Sequence, residues 1–194
     1  IKNVPNEKVF EALSAGIAAI GENRVQDAVG RIKLFQERFP AVAAHMIGHL
    51  QRNKVRQALD SFAIIQSVDS PQLAQEINRR SDQPVAVLIE VNTSGEESKF
   101  GVEFGRAIEL IRSAAALANI NILGLMTIGP LTNDPEKSRA AFRKLKELSD
   151  EVAGLQLARV KMRFLSMGMT DDFEIALAEG SNLVRIGRGI FGPR

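Results

Sequence analysis

The stretch PVAVLIEV, residues 84–91, is the strongest indication of the fold class of this chain. It is apolar almost throughout, which is typical of a strand buried on both faces in a parallel sheet. Six other short apolar runs lie at 17–20, 45–48, 63–67, 122–127, 163–166 and 183–187. Apolar stripes at helical spacing separate them, including 104–115 and 142–155. Strands that alternate with helices predict βαβ units and a parallel sheet.

Helix starts are marked at the expected places along the chain. Ser70-Pro71 and Asp134-Pro135 each combine a capping side chain with a proline at the first helical position. Residues 170–172, Thr-Asp-Asp, form a similar start. The helical stretches between the predicted strands are therefore expected to begin directly after them.

The number of elements predicts a (β/α)₈ barrel. A helical segment at 6–14 precedes the seven runs, and Ile1-Lys2 is left as the end of a strand before that segment. Such barrels usually have about 250 residues, whereas this chain has 194. We expect residues 1–194 to form a single domain that lacks its N-terminal helix and most of its first strand. A doubly wound open sheet is the alternative.

Composition narrows the possible functions. The chain has no Cys, which excludes thiolate chemistry and disulfides, and its 25 basic and 23 acidic residues imply no nucleic-acid surface. It has no apolar run long enough for a bilayer and no signal-peptide pattern, so no membrane contact is expected and the cytoplasm is the predicted compartment. Monomer is the expected state.

Polar and Gly-rich residues follow the predicted strands, at the end of a barrel where active sites collect. They include Lys2, Asn23 and His45, and two loops, SMGMTDD at 166–172 and RIGRG at 185–189. Loops after the last two strands of a barrel often bind phosphate. A phosphate site together with a strand-end lysine indicates a phosphorylated aldehyde held as a Schiff base.

Several long motifs resemble those of the pyridoxal 5′-phosphate (PLP) homeostasis proteins, which are related to the barrel domain of alanine racemase. They are GENRVQDA (21–28), HMIGHLQRNK (45–54), IIQSVDS (64–70), VLIEVNTSGEESKFGV (87–102), GLMTIGP (124–130) and LSMGMTDDFEIALAEGSNLVRIG (165–187). The resemblance covers nearly the whole chain. It implies a fold-type III PLP-binding barrel, with PLP as the cofactor and PLP-dependent apo-enzymes as partners.

The resemblance also implies roles for individual residues. IKNVP matches the family's Lys-x-x-Pro segment, which places the Schiff-base lysine at Lys2. Asn23 is expected to hydrogen-bond the ring oxygen or the aldimine region, and Arg185 to lie beside the pyridine nitrogen. Nine residues in all are predicted to bind the cofactor: Lys2, Asn23, His45, Ser166, Met167, Gly168, Arg185, Gly187 and Arg188. Of these, Ser166, Gly168, Gly187 and Arg188 suit the phosphate, although Arg188-Gly189 stands where the family more often has Thr-Ala.

Other features have simpler interpretations. His45 and His49 lack a metalloprotease glutamate, so no metal site is predicted and we interpret them as polar core or supporting residues. The match to G-x-G-x-x-G at 187–192 lacks a following helix, strand and acidic residue, which excludes a dinucleotide site. Arg31 and Lys33 are expected on a solvated helix face. Lys99 is expected at the surface, with a smaller prospect of acting as a second amine.

Three functions remain: a PLP-binding and delivery protein without robust catalysis, an amino-acid racemase, and a barrel with an unrelated phosphate ligand. The related racemases, as the resemblance implies, need a tyrosine as second base and a second, β-rich domain. This chain contains no Tyr, and it ends directly after the eighth predicted strand. We therefore expect a PLP-binding protein of intracellular PLP homeostasis and no catalytic residue, with weak one-base racemisation as the alternative.

Overall fold

A computed structural model describes residues 1–96 and 98–193 as a parallel sheet that is rolled into a nearly closed barrel with helices on its outside. The strands are β1 (Ala19–Glu22), β2 (Ala43–Met46), β3 (Ile64–Val68), β4 (Val85–Asn92), β5 (Val102–Glu103), β6 (Ile120–Met126), β7 (Val160–Met169) and β8 (Leu183–Arg185). The helices are α1 (Asn6–Ser14), α2 (Val25–Arg38), α3 (Val55–Leu59), α4 (Pro71–Arg80), α5 (Ala107–Ala115), α6 (Pro135–Gly154), α7 (Phe173–Ala178) and α8 (Arg188–Phe191). Short 3₁₀ turns precede α3 and α5.

The order of the strands distinguishes a barrel from an open doubly wound sheet. They pair in parallel in the sequence β1-β2-β3-β4-β6-β7-β8, and the two-residue β5 adds only to the end of β4. A doubly wound sheet reverses its order at a switch point, whereas here each strand lies beside its neighbour in the chain. The predicted barrel architecture is therefore confirmed, and the open-sheet alternative is wrong.

The side chains of β4 explain why PVAVLIEV is apolar on both faces. Val87 and Ile89 belong to the large cluster between sheet and helices, while Leu88 belongs to a second cluster with Ile64 and Met126. All three β4 side chains are fully buried. Because neighbouring residues of a strand point to opposite faces, the second cluster fills the barrel interior.

The helix starts follow the predicted caps. The Ser70 hydroxyl accepts a hydrogen bond from the Leu73 amide (3.4 Å), and the Asp134 carboxylate accepts one from the Glu136 amide (3.0 Å). Each cap is followed by a proline in the first turn of α4 or α6. Within the described residues, no helix combines the length and the apolar composition needed to cross a bilayer.

The two ends of the sheet, β1 and β8, share no strand pairing in the described part of the chain. The segment before α1 runs beside β1, where the Ile1 nitrogen donates to the Gly21 carbonyl (2.6 Å). At the other side, Lys8 of α1 donates to the Phe191 carbonyl of α8 (3.3 Å). These contacts bring residues from both ends of the chain to the same gap in the barrel wall.

Candidate functional site

A cavity of about 660 Å³ opens at this gap, between β1 and β8. It is lined by the segment before α1, by α1 itself, by β1, β2 and β3, and by the loops around α7 and α8. Six of the nine predicted site residues line it: Lys2, Asn23, His45, Arg185, Gly187 and Arg188. The structure thus brings into one cavity residues that lie up to 186 positions apart in the chain.

The other three predicted residues, Ser166, Met167 and Gly168, lie on β7 and are buried without lining the cavity. A side chain added at Gly168 would stand 2.6 Å from the Ala176 Cβ, and the φ of Gly168 is +94°. Glycine is the residue that adopts this backbone without strain. Gly168 therefore lets β7 pass close to α7 and fixes the loop at one wall of the cavity.

Arg31 holds the segment that carries Lys2. Its guanidinium donates to the carbonyl oxygens of Ile1 (3.1 Å) and Val4 (2.6 Å), and it forms an ion pair with Glu22 at 3.0 Å. The side chain of Arg31 is 21% exposed and that of Glu22 only 2%. Burial raises the pKa of Glu22, while the N-terminal amine and Arg31 act in the opposite direction. The prediction that Arg31 lies on a solvated face is wrong, because its charge is used to fasten the chain beside β1.

A polar chain crosses the barrel interior, and three of its members, His45, Gln66 and Arg185, line the cavity. Arg185 donates to the Ser166 hydroxyl (2.6 Å) and to the Thr127 carbonyl (2.8 Å). Ser166 in turn donates to the Gln66 side-chain oxygen (2.7 Å), and the Gln66 nitrogen lies 2.8 Å from His45 Nδ1. Burial lowers the pKa of Arg185 to about 10 and also lowers the pKa of His45. The hydroxyl of Ser166, predicted to bind phosphate, is occupied by Gln66 and Arg185 in this structure.

Arg188 and Asp171 form an ion pair at the rim of the cavity, between α8 and the loop before α7. The Gly189 amide next to Arg188 donates to the Thr170 hydroxyl (3.2 Å). These contacts join the two Gly-rich loops, and two of the four predicted phosphate residues, Gly187 and Arg188, line the cavity there. Arg188 supplies an exposed positive charge there.

The loops after β1 and β2 touch each other beside the cavity. A Cβ at Gly48 would lie 2.4 Å from the Asn23 carbonyl oxygen. Since real Cβ atoms do not approach an oxygen so closely, the absence of a side chain at Gly48 allows the contact. Asn23 is thereby held at the cavity wall.

Glu90 is a buried carboxyl group among the strand ends. It is 3% exposed, and its Oε2 atom has no hydrogen-bond partner. Burial and, to a smaller extent, the nearby Asp69 raise the pKa of Glu90, Arg185 acts in the opposite direction, and the net result is a pKa of about 7. Glu90 is therefore partly protonated near neutral pH.

The two histidines do not share a site. His45 Nδ1 lies against Gln66, whereas His49 Nδ1 lies 3.4 Å from Asp69 and the His49 ring stacks on Phe100 at 4.4 Å. Within residues 1–96 and 98–193, no group of three or more metal-binding side chains occurs. The structure gives the two histidines separate supporting contacts.

Lys99 lies outside the cavity. Its ammonium group donates to the Gly129 carbonyl (2.7 Å) and pairs with Glu96 at 3.0 Å, and the side chain is 18% exposed. Lys99 is therefore less exposed than a typical surface lysine, because it joins the loops after β4 and β6.

Sequence reasoning did not single out Gln66, Glu90 or Asp171 as parts of the site. For Gln66 and Glu90 a signal existed, since each is a polar residue inside an apolar strand, and polar groups are buried only where they have a partner or a function. Asp171 was noticed only as part of a helix start. Its pairing with Arg188 depends on the packing of two loops.

The comparisons with known proteins agree with this geometry. A family model described as the N-terminal domain of alanine racemase matches residues 3–194. The pyridoxal phosphate homeostasis protein of Aquifex aeolicus is 42% identical over 196 residues, which cover 100% of this chain and 84% of that protein. The chain belongs to the pyridoxal phosphate homeostasis protein family. The family predicted from the motifs is therefore confirmed.

Solved structures extend the comparison. PipY of Synechococcus elongatus, a structure with PLP bound, is 30% identical with a TM-score of 0.88, and the match covers 98% of this chain and 89% of PipY. An alanine racemase of Clostridium difficile is 14% identical with a TM-score of 0.79, over 97% of this chain and 48% of the racemase. The likeness to the racemase shows the fold alone. This member of the pyridoxal phosphate homeostasis protein family therefore shares its barrel with racemases.

Proposed function

We propose that this chain binds PLP in the cavity between β1 and β8, holds it through Lys2, and releases it to PLP-dependent apo-enzymes as part of PLP homeostasis. The observation that carries the proposal is the arrangement of one cavity with the amine of Lys2, the partly buried guanidinium of Arg185 and, at the rim, the ion pair of Arg188 with Asp171. A relative with PLP bound, at 30% identity and a TM-score of 0.88, supports the same ligand. In this proposal residues 1–194 act as one PLP-binding domain.

The donors around the cavity fit the three polar parts of PLP. Lys2 suits the aldehyde, and Arg185, held by Ser166 and Thr127, suits the ring nitrogen. Gly187 and Arg188, which line the cavity, suit the phosphate, because backbone N–H groups and a guanidinium are good phosphate donors. Met167 and Gly168 support that end from β7. The volume of about 660 Å³ lies within the range of small-molecule sites.

When bound, PLP supplies an aldehyde that condenses with a neutral lysine amine to a Schiff base with loss of one water. Arg31 fixes the backbone on both sides of Lys2, which keeps the amine at the cavity. Arg185 has only donors, so it favours an acceptor, the unprotonated form of a ring nitrogen. An unprotonated pyridine is a weak electron sink, so this chain is expected to hold the cofactor and to turn over amino acids poorly.

The first experiment is the absorption spectrum after incubation with PLP and dialysis, followed by borohydride reduction and peptide mapping by mass spectrometry. The chain has no Trp or Tyr, so the cofactor bands stand clear of the protein. We expect a retained near-visible band and a reduced adduct on Lys2. Lys2→Ala should lose both, while Lys33→Ala, an exposed lysine of α2, should keep both. An adduct spread over several lysines would contradict the site.

Delivery needs a second experiment. The protein loaded with PLP is mixed with an aminotransferase apo-enzyme in the presence of a phosphatase that destroys free PLP. Reactivation faster than with the same amount of free PLP would support protected transfer. Equal rates would reduce the proposal to storage, and racemisation of alanine by the loaded chain would favour the enzyme alternative. The monomeric state and the cytoplasmic compartment stay predictions.

A further inference from the structure

Gln66 occupies the centre of the polar chain that crosses the barrel. It is 1% exposed on β3, and both polar atoms of its amide are within hydrogen-bond distance of a partner. The oxygen meets the Ser166 hydroxyl at 2.7 Å, and the nitrogen meets His45 Nδ1 at 2.8 Å. Gln66 therefore connects Arg185 on β8 with His45 on β2.

The direction of every hydrogen bond in this chain follows from its arginine end. A guanidinium can only donate, so the Ser166 oxygen accepts from Arg185. The single Ser166 hydrogen is then directed to the Gln66 oxygen. This turns the Gln66 NH₂ group toward His45, and Nδ1 must accept.

The opposite amide orientation satisfies fewer groups. With the Gln66 nitrogen toward Ser166, the serine oxygen would accept two bonds and its own hydrogen would lose the Gln66 oxygen as acceptor. Ser166 is fully buried, and a buried polar group without a partner costs about 1–3 kcal/mol. The orientation with Nδ1 as acceptor is therefore favoured.

We propose that Gln66 is a positioning residue that fixes His45 as the neutral Nε2–H tautomer, so that His45 offers a hydrogen-bond donor, and no base, to a molecule in the cavity. Burial, which disfavours the charged imidazolium, acts in the same direction. The tautomer is a property of the empty chain and does not depend on PLP. The consequence of this tautomer for the ligand rests on the proposed function. A hydrogen-bond donor suits an oxygen of PLP, and the absence of a base suits a protein that carries PLP without turning over amino acids.

The test is nitrogen NMR of the unloaded protein labelled with ¹⁵N-histidine, because protonated and unprotonated ring nitrogens differ widely in chemical shift. The chain has only two histidines, and His49, which contacts Asp69 and Phe100, serves as an internal control. We expect His45 to show an unprotonated Nδ1 and a protonated Nε2 at neutral pH. A protonated Nδ1 in the wild-type chain would overturn the proposal.

Nε2–H is also the tautomer that imidazole side chains prefer in water. Variants of Gln66 are therefore needed to show that Gln66 sets the tautomer of His45. In Gln66→Glu the side chain has acceptors only, and His45 is expected to gain a proton on Nδ1 while His49 stays unchanged. If that variant does not fold, Gln66→Met replaces it and should give a mixture of tautomers. A His45 spectrum identical to wild type in the variant that folds would show that Gln66 does not set the tautomer. Because no ligand is present, this failure is distinct from a failure to bind PLP.

Discussion

Glu90 gives this protein a pH-dependent stability whose size follows from its burial. Each pKa unit corresponds to about 1.4 kcal/mol, and burial and Asp69 raise the pKa of Glu90 from 4.5 to about 7. Between these two values the folded chain keeps a proton that the unfolded chain has already lost. Stability therefore falls as pH rises through this interval, and the full cost of about 3 kcal/mol is present above it.

Replacing Glu90 by Gln removes this titration while keeping the shape of the side chain. The amide brings its own constant effect, because its polar atoms meet the same surroundings at every pH. The difference in free energy of unfolding between Glu90→Gln and wild type should nevertheless shift by about 3 kcal/mol in favour of the variant from about pH 4 to about pH 8. That change with pH, and not its absolute level, is the measured quantity.

The assay is urea unfolding followed by far-ultraviolet circular dichroism at a series of pH values, since the chain has no Trp or Tyr for fluorescence. Glu151→Gln, at an exposed position of α6, is the matched control and should give a curve nearly parallel to wild type. If the Glu90→Gln difference is equally flat, Glu90 is ionised in the folded chain without cost. The account of its burial would then be refuted.

Three further predictions concern the walls of the cavity. Arg31→Met leaves Glu22 buried without its arginine partner and should lower the free energy of unfolding in urea by up to about 3 kcal/mol. Adding Glu22→Gln to this variant should restore stability but not PLP retention. Restored PLP retention would contradict the role of Arg31 in fixing Lys2. Gly48→Ala places a Cβ 2.4 Å from a backbone oxygen, so it should lower the free energy of unfolding by about 1–3 kcal/mol. It should also weaken PLP binding in a spectroscopic titration. Gly30→Ala, with open space around it, is the control and should have neither effect. Burial lowers the pKa of His45 from 6.5, so below pH 6.5 the unfolded chain binds a proton that the folded chain does not. Stability therefore falls as the pH is lowered. His45→Gln should reduce this loss of stability at acid pH, and an unchanged loss would exclude His45 as its cause.

Local periodicity and chain order were enough to predict part of the fold from the amino-acid sequence. PVAVLIEV is a strand buried on both faces, and the caps at Ser70 and Asp134 begin helices where predicted. These features could be predicted because a continuous apolar run and a helix cap each depend on a few neighbouring residues. The barrel was predicted by counting the elements, and the six predicted residues that line the cavity all come from the strand ends and the loops after them.

Strand boundaries were less well predicted, for a physical reason. The predicted strand at 17–20 is observed at Ala19–Glu22, and the one at 45–48 at Ala43–Met46. Apolar composition placed the first run too early, because Glu22 is buried through its ion pair with Arg31, which lies nine positions away on α2. A buried charge with a remote partner has no signature in a hydrophobic pattern.

The pairing of the buried polar groups depends on the three-dimensional packing of the chain. Ser166 and Gln66 are 100 positions apart, and their hydrogen bond gives both of them a partner inside the barrel. Arg31 holds the Lys2 segment, and Ser166 accepts a hydrogen bond from Arg185, because packing places these partners next to each other. Hydrogen bonds and ion pairs act over a few ångströms in space, so their partners are fixed once the barrel has assembled and not by distance along the chain.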